Sequence, residues 1–253
     1  MSGYFHPMDL NESILDVATD DGTMAVLVKE PAAGGPFPTV VIFHDAPAIR
    51  EALHEFMRKL AADGFRVVTP DLYHRSGRMI GFEPADVVAD PSLRNRMWEL
   101  IASLDDVGIQ SDLDDTLDAL DLPADAKLGT IGFCLGARAV FRTLERLPER
   151  FAAGSMFHPS FLADTEPDSP HRSAAQLQQP LFIGIGTADK VQSIEMHQPF
   201  FDAVEPLDNV EVEIFDGADH GFTWPGYATY HQEASDRTYE KTLEIFRRTL
   251  TAG

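Results

Sequence analysis

One cysteine, Cys134, stands in a chain of 253 residues. A single thiol closes no internal disulfide, so the chain carries no disulfide framework of the kind built in oxidising compartments. Basic residues are scarce as well: 20 Lys and Arg against 41 Asp and Glu leave a formal charge of -21. Such a surface repels phosphate backbones and anionic lipid heads, which sets aside nucleic acid and membrane surfaces as partners. An anionic small molecule would need a local cation to enter. Long apolar runs are missing too. Val40 to Phe43 is typical of the longest, far short of the ~20 residues that span a bilayer. Met1 to Leu10 shows neither the basic start nor the apolar stretch of a signal peptide, so a cytoplasmic protein is expected. The sequence has no His-Glu-x-x-His and no Gly-Lys pair of a phosphate loop. Gly184-x-Gly186-x-x-Asp189 lacks the third glycine of a dinucleotide fingerprint, and no metal or cofactor is expected.

Apolar residues are plentiful, at 44% of the chain, enough to bury one sizeable core over a single domain, 1–253. Short β-branched and aromatic runs recur at Thr39–Phe43, Phe65–Thr69, Lys127–Ile131, Ala153–Phe157, Leu181–Ile185 and Val210–Phe215. Most lack polar alternation, which is how strands buried on both faces of a parallel sheet read. Val210–Phe215 alternates and is placed near an edge. Helical stripes fall between the runs. Leu53, Phe56, Met57, Leu60 and Ala61 form one, closed by Gly64. Leu113, Leu117 and Leu120 form another behind Ser111, read as an N-cap. Ala137, Val140, Phe141 and Leu144 follow, and Leu243, Phe246 and Leu250 mark a last helix. Hairpin signals are weak, and residues 160–179 read as one long loop. The alternation predicts an α/β fold, a mostly parallel central sheet flanked by helices on both faces. Functional groups in such a sheet collect just past strand C-termini, at Asp45, Asp71, Cys134, His158, Asp189 and His220.

The strongest motif is Gly132-Phe133-Cys134-Leu135-Gly136-Ala137, at the junction of a strand and a helix. Small residues two before and two after the cysteine permit the sharp turn of a nucleophile elbow, with Cys in place of the usual Ser. The turn lifts the sulfur above the sheet, and the helix N-terminus favours its thiolate. The Leu135 N–H then points to where an oxyanion would form. Asp189 and His220 follow later strands in the order nucleophile, acid, base. Asp216 and Asp219 compete for the role of the acid, but they lie close to His220 in sequence and Asp189 is preferred.

These segments resemble the dienelactone hydrolase family of the α/β-hydrolase fold. The similarity runs through Val40–Asp45, Phe65–Tyr73, Gly132–Gly136, Gly186–Asp189 and His220-Gly221-Phe222. The resemblance implies a Cys134–His220–Asp189 triad, with the Ala46 N–H as second oxyanion donor beside Leu135. It implies a glutamate that touches the resting cysteine at the place where Asp45 stands. It also implies two arginines that hold a substrate carboxylate. Arg94 corresponds to one; at the other place, four residues after His220, stands Trp224. Trp224 and Phe222 would then make an apolar wall. His158-Pro159-Ser160-Phe161 resembles a variant from other branches, with a post-strand turn as the simpler reading. The expected function is hydrolysis of a small lactone or carboxylic ester through a thioester acyl-enzyme. The alternatives are a binding protein that kept the fold without turnover, and a redox-sensing thiol protein. Dienelactone itself is not the expected substrate.

Overall fold

The computed structural model describes residues 9–250. Its scaffold is one eight-stranded sheet: β1 (Leu10–Thr19), β2 (Gly22–Pro31), β3 (Thr39–Phe43), β4 (Arg66–Pro70), β5 (Leu128–Phe133), β6 (Phe151–Phe157), β7 (Leu181–Gly186) and β8 (Val210–Phe215). The spatial order is β1-β2-β4-β3-β5-β6-β7-β8, with β3 to β8 parallel and β1 and β2 antiparallel to their neighbours. The helices are α1 (Glu51–Ala62), α2 (Pro84–Ala89), α3 (Pro91–Ala102), α4 (Asp106–Ala119), α5 (Gly136–Arg146), α6 (Ile194–Val204) and α7 (Gln232–Leu250).

Strand β3 shows why the expected strands carry no polar alternation. Val40 and Ile42 pack with Leu53, Phe56 and Met57 of α1 and with Tyr239 and Phe246 of α7. Val41 and Phe43, on the opposite face, pack with Leu113 of α4 and with Val140 and Leu144 of α5. Both faces are buried, so Val40 to Phe43 are all apolar. The alternating β8 lies at the sheet edge, as its pattern predicts. Gly64 follows α1 with φ +98, the left-handed backbone that a glycine stop supplies.

Three expectations are corrected. A long hairpin, β1–β2, opens the sheet and turns at Asp20-Asp21. Most of β1 faces solvent, so it lacks the apolar signature of a strand. Helix α4 is capped by Asp105, whose side chain accepts the Gly108 N–H at 2.8 Å, and Ser111 lies inside the helix rather than capping it. Helices α2, α3 and α6 were not expected: α3 buries Leu100 alone, and α6 carries Pro199 within it. Residues 160–179 hold only two short 3-10 turns.

The topology fixes where a site can form. After β3 the chain moves outward to β4, and β5 returns on the other side of β3. The C-terminal ends of β3 and β5 therefore flank the crevice at which open α/β sheets bind ligands. Among the described residues no helix is long and apolar enough to cross a membrane.

Candidate active site

Strand β5 runs into Cys134, whose φ is +53. A non-glycine residue in that region is strained and survives only where its surroundings enforce it. Here the enforcement is steric. A Cβ on Gly136 would lie 2.2 Å from the Phe43 carbonyl oxygen, and one on Gly132 would lie 2.3 Å from the Gly136 carbonyl oxygen. Both glycines let α5 approach the ends of β3 and β5 directly. The Cys134 carbonyl accepts from Ala137 N–H at 3.1 Å and from Ser160 N–H at 2.9 Å. The sulfur is left partly exposed at the head of α5, 3.3 Å from the Ser160 hydroxyl.

Asp189 and His220 meet across two interlocked loops. A Cβ on Gly186 would lie 1.9 Å from the Ala218 carbonyl oxygen, so the chain after β7 lies directly against the chain after β8. The Ala188 N–H donates to the Ala218 carbonyl at 3.0 Å. Asp189 Oδ1 accepts from the Val191 and Gln192 N–H groups at 2.9 and 2.8 Å, leaving Oδ2 to accept from His220 Nδ1 at 2.7 Å. The rival acids are engaged elsewhere. Asp216 accepts from the Thr187 hydroxyl, and Asp219 accepts from the backbone N–H of His220 itself. With Nδ1–H fixed on Asp189, Nε2 is buried without a hydrogen-bond partner among the described residues. Burial alone would favour a neutral ring. The charge of the Cys134 sulfur and the hydrogen bond to Asp189 outweigh it and push His220 up to about 10.

A second imidazole lies beside the first. The His158 ring is buried, edge-on to His220 at 5.1 Å between centroids and against Phe222 at 5.2 Å. Burial, and then the charge on His220, hold it well below its ordinary value, so it stays neutral. His158 and Phe161, on either side of Ser160, both have positive φ. Further bonds pin this segment: the Pro159 carbonyl to His197 Nε2 at 2.9 Å, and the Phe161 N–H to the Gln192 side-chain oxygen at 3.1 Å.

The remaining predicted residues have other neighbours than the sequence suggests. Asp45 lies in a bidentate pair with Arg50, at 2.6 and 2.8 Å, and also accepts from the Ala48 N–H. The Arg50 guanidinium stacks 4.7 Å from the Trp224 ring centroid and donates from Nε to the Tyr227 hydroxyl at 3.0 Å. Phe222 is fully buried, behind His158 and against Phe215. Arg94 is exposed on α3, and its guanidinium reaches the carbonyls of Val87 and Val88 at the end of α2. Ala46 lies three residues past the end of β3. Neither its N–H nor that of Leu135 donates to an acceptor among the described residues. A cleft of about 450 Å³ opens beside Leu135 and Phe161, floored by Ile101, Leu104, Ile109 and Ala139 and rimmed by Asp105, Asp106, Asp164 and Asp168. Sequence reading missed Ser160 and Arg50 as site residues. The string that holds Ser160 was visible past a strand end; nothing in the sequence near Arg50 points to Trp224.

The sheet order and the residues gathered at the C-terminal ends of its strands define an α/β-hydrolase. The model of the dienelactone hydrolase family matches residues 24–250, and the chain belongs to that family. It is an ester or lactone hydrolase by class. A Methylorubrum extorquens protein named "Putative carboxymethylenebutenolidase" is 26% identical over 241 residues, 91% of this chain and 79% of its own length. A protein of the same name from Salmonella typhi is 26% identical over 89% of this chain and 83% of its own. In fold, the chain is similar to the crystal structure of a "Putative Dienelactone Hydrolase" from Klebsiella pneumoniae, with TM-score 0.80 and 20% identity over 95% of this chain and 99% of that one.

Proposed function

We propose that the chain hydrolyses small, uncharged esters or lactones with Cys134 as nucleophile, His220 as acid and base, and Asp189 as the residue that orients His220. The observation that carries this reading is the strained Cys134 at the strand–helix junction, its sulfur acting on a histidine whose Nδ1 is bound to a buried carboxylate. His220 takes the proton of the Cys134 thiol or pairs with its thiolate. The sulfur attacks the carbonyl carbon and forms a C–S bond. The oxyanion is met by the Leu135 and Ala46 N–H groups, each such donor contributing about 3 kcal/mol in comparable sites. The C–O bond then breaks, and the leaving oxygen takes the proton from His220. A thioester remains.

Acylation removes the sulfur's charge, the largest influence that raises His220. The imidazole therefore falls in basicity when a base is next needed. It takes a proton from water, which attacks the thioester; the C–S bond breaks and the thiolate–imidazolium pair returns. Preference for uncharged substrates follows from the cations. Arg50 is buried against Asp45, Arg94 faces α2, and Arg138, which lines the adjoining cleft, is paired with the rim carboxylates of Asp106 and Asp164. The test is turnover of p-nitrophenyl acetate and dihydrocoumarin by the wild type and Cys134→Ala, with mass spectrometry of the quenched reaction. The expected results are a loss of at least ~10³-fold in the variant and an acyl adduct on Cys134 in the wild type. Equal rates would refute the assignment.

A further inference from the structure

We infer that His44, a buried residue at the end of β3, is a positioning residue that holds the Ala46 N–H in place as an oxyanion donor. The inference rests on the reading of Cys134 as the attacking nucleophile. It begins with the peptide that joins Asp45 to Ala46. A peptide unit is planar, and its C=O and N–H point in opposite directions. Fixing the Asp45 carbonyl therefore fixes the Ala46 N–H. That carbonyl accepts twice, from His44 Nδ1 at 2.7 Å and from Ala48 N–H at 3.0 Å. The other nitrogen of the ring, Nε2, receives the Leu72 N–H at 3.3 Å.

These partners determine the tautomer. A carbonyl only accepts and a backbone N–H only donates. The ring therefore carries its proton on Nδ1 and a lone pair on Nε2. Burial holds His44 below its ordinary value, and protonation would set two N–H groups against each other at Leu72. Tyr73 clamps the next peptide. Its ring stands edge-on to His44 at 5.2 Å, and its hydroxyl donates to the Ala46 carbonyl at 3.2 Å. Both peptides flanking Ala46 are thus held through their carbonyls, by groups at the ends of β3 and β4. The Ala46 N–H itself donates to no acceptor among the described residues, and it lies at the crevice between β3 and β5.

Two polar replacements separate this role from general packing. His44→Asn keeps an amide N–H near the position of Nδ1 and can still hold the Asp45 carbonyl. His44→Gln places its amide near Nε2, keeping the Leu72 contact while leaving the carbonyl without its side-chain donor. Loss of one oxyanion donor slows kcat by roughly 10²–10³-fold in comparable enzymes, and partial loss of alignment slows it less. The expected result is a kcat about 10–100-fold lower for Gln than for Asn, with KM changed less than about 3-fold in both. Alkylation of Cys134 by iodoacetamide, which forms no oxyanion, should proceed at the wild-type rate in both variants. Equal kcat for Asn and Gln, or alkylation falling in step with turnover, would overturn the inference. Cys134→Ala is assayed alongside: full turnover in that variant would overturn the nucleophile assignment itself, and His44's role with it. If either variant folds poorly by circular dichroism, inhibition by a trifluoromethyl ketone, measured on the folded fraction, reads the same oxyanion donor. Equal inhibition of the wild type and the Gln variant would then refute the role.

Discussion

Replacing Cys134 by alanine removes a charge from beside His220, and the structure sets how far the imidazole should respond. In the wild type His220 is raised from 6.5 to about 10 against the effect of burial. At about 1.4 kcal/mol per unit, that favours the charged ring by roughly 5 kcal/mol. Two unit charges ~4 Å apart at an effective dielectric of ~20 attract by about 4 kcal/mol, so one thiolate can supply most of the effect. Asp189, at 2.7 Å, adds its own attraction, which with the thiolate must also offset burial, and it remains in the variant. The assay is an NMR titration of the His220 ring, assigned by its loss in His220→Gln. The wild-type ring should stay protonated through neutral pH and titrate near 10, and in Cys134→Ala it should fall by at least one unit. The sign for stability follows from the same shift. A folded-state value raised above 6.5 stabilises the fold fully below pH 6.5, and that contribution is lost as pH rises through about 10. Wild-type stability should therefore decline over this window more steeply than that of Cys134→Ala. A wild-type ring titrating near 6.5, or one that titrates alike in the two proteins, would refute the ion-pair argument.

Two further outcomes follow from the packing. Arg50→Met leaves the Asp45 carboxylate buried without its partner and should cost about 3–5 kcal/mol in urea unfolding, with most of the loss recovered by adding Asp45→Asn; additive losses would contradict a coupled pair. Gly136→Ala places a Cβ 2.2 Å from the Phe43 carbonyl oxygen, so α5 must shift and carry the Leu135 N–H with it. A kcat loss of at least ~10²-fold is expected even where the variant folds, and wild-type kcat in a folded Gly136→Ala would show that the helix N-terminus need not be held so closely.

Much of this arrangement was legible because strand ends and punctuation carry it. Cys134, Asp189 and His220 each follow a strand with both faces buried or a clear alternation, and glycines stand where chain must touch chain. Strand β1 was not legible, because exposure on much of its length removes the apolar pattern by which strands are read. Arg50, His44 and Ser160 were not legible for a different reason. Arg50 and His44 each hold Asp45 nearby, but they are fixed by Tyr227 and Leu72, 177 and 28 residues away, and Ser160 meets Cys134 across 26 residues; no local period encodes such contacts.

Arg50 also joins two departures that the sequence presents as unrelated. The resemblance implies a glutamate at position 45 and an arginine at 224, where this chain has Asp45 and Trp224. In the structure one guanidinium touches both, pairing with the carboxylate through two nitrogens and lying over the indole at 4.7 Å. The shorter acid suits a partner that comes from its own loop, five residues on. The flat indole suits a guanidinium, which stacks where a second cation would be repelled. A positive charge is thus kept beside the crevice, but it is buried and bidentately paired. A charge so held cannot turn to a substrate carboxylate without leaving Asp45 unpaired in the interior, a cost of several kcal/mol. Arg50 is thereby committed to holding the segment that carries Ala46, through Asp45 and the Ala48 carbonyl.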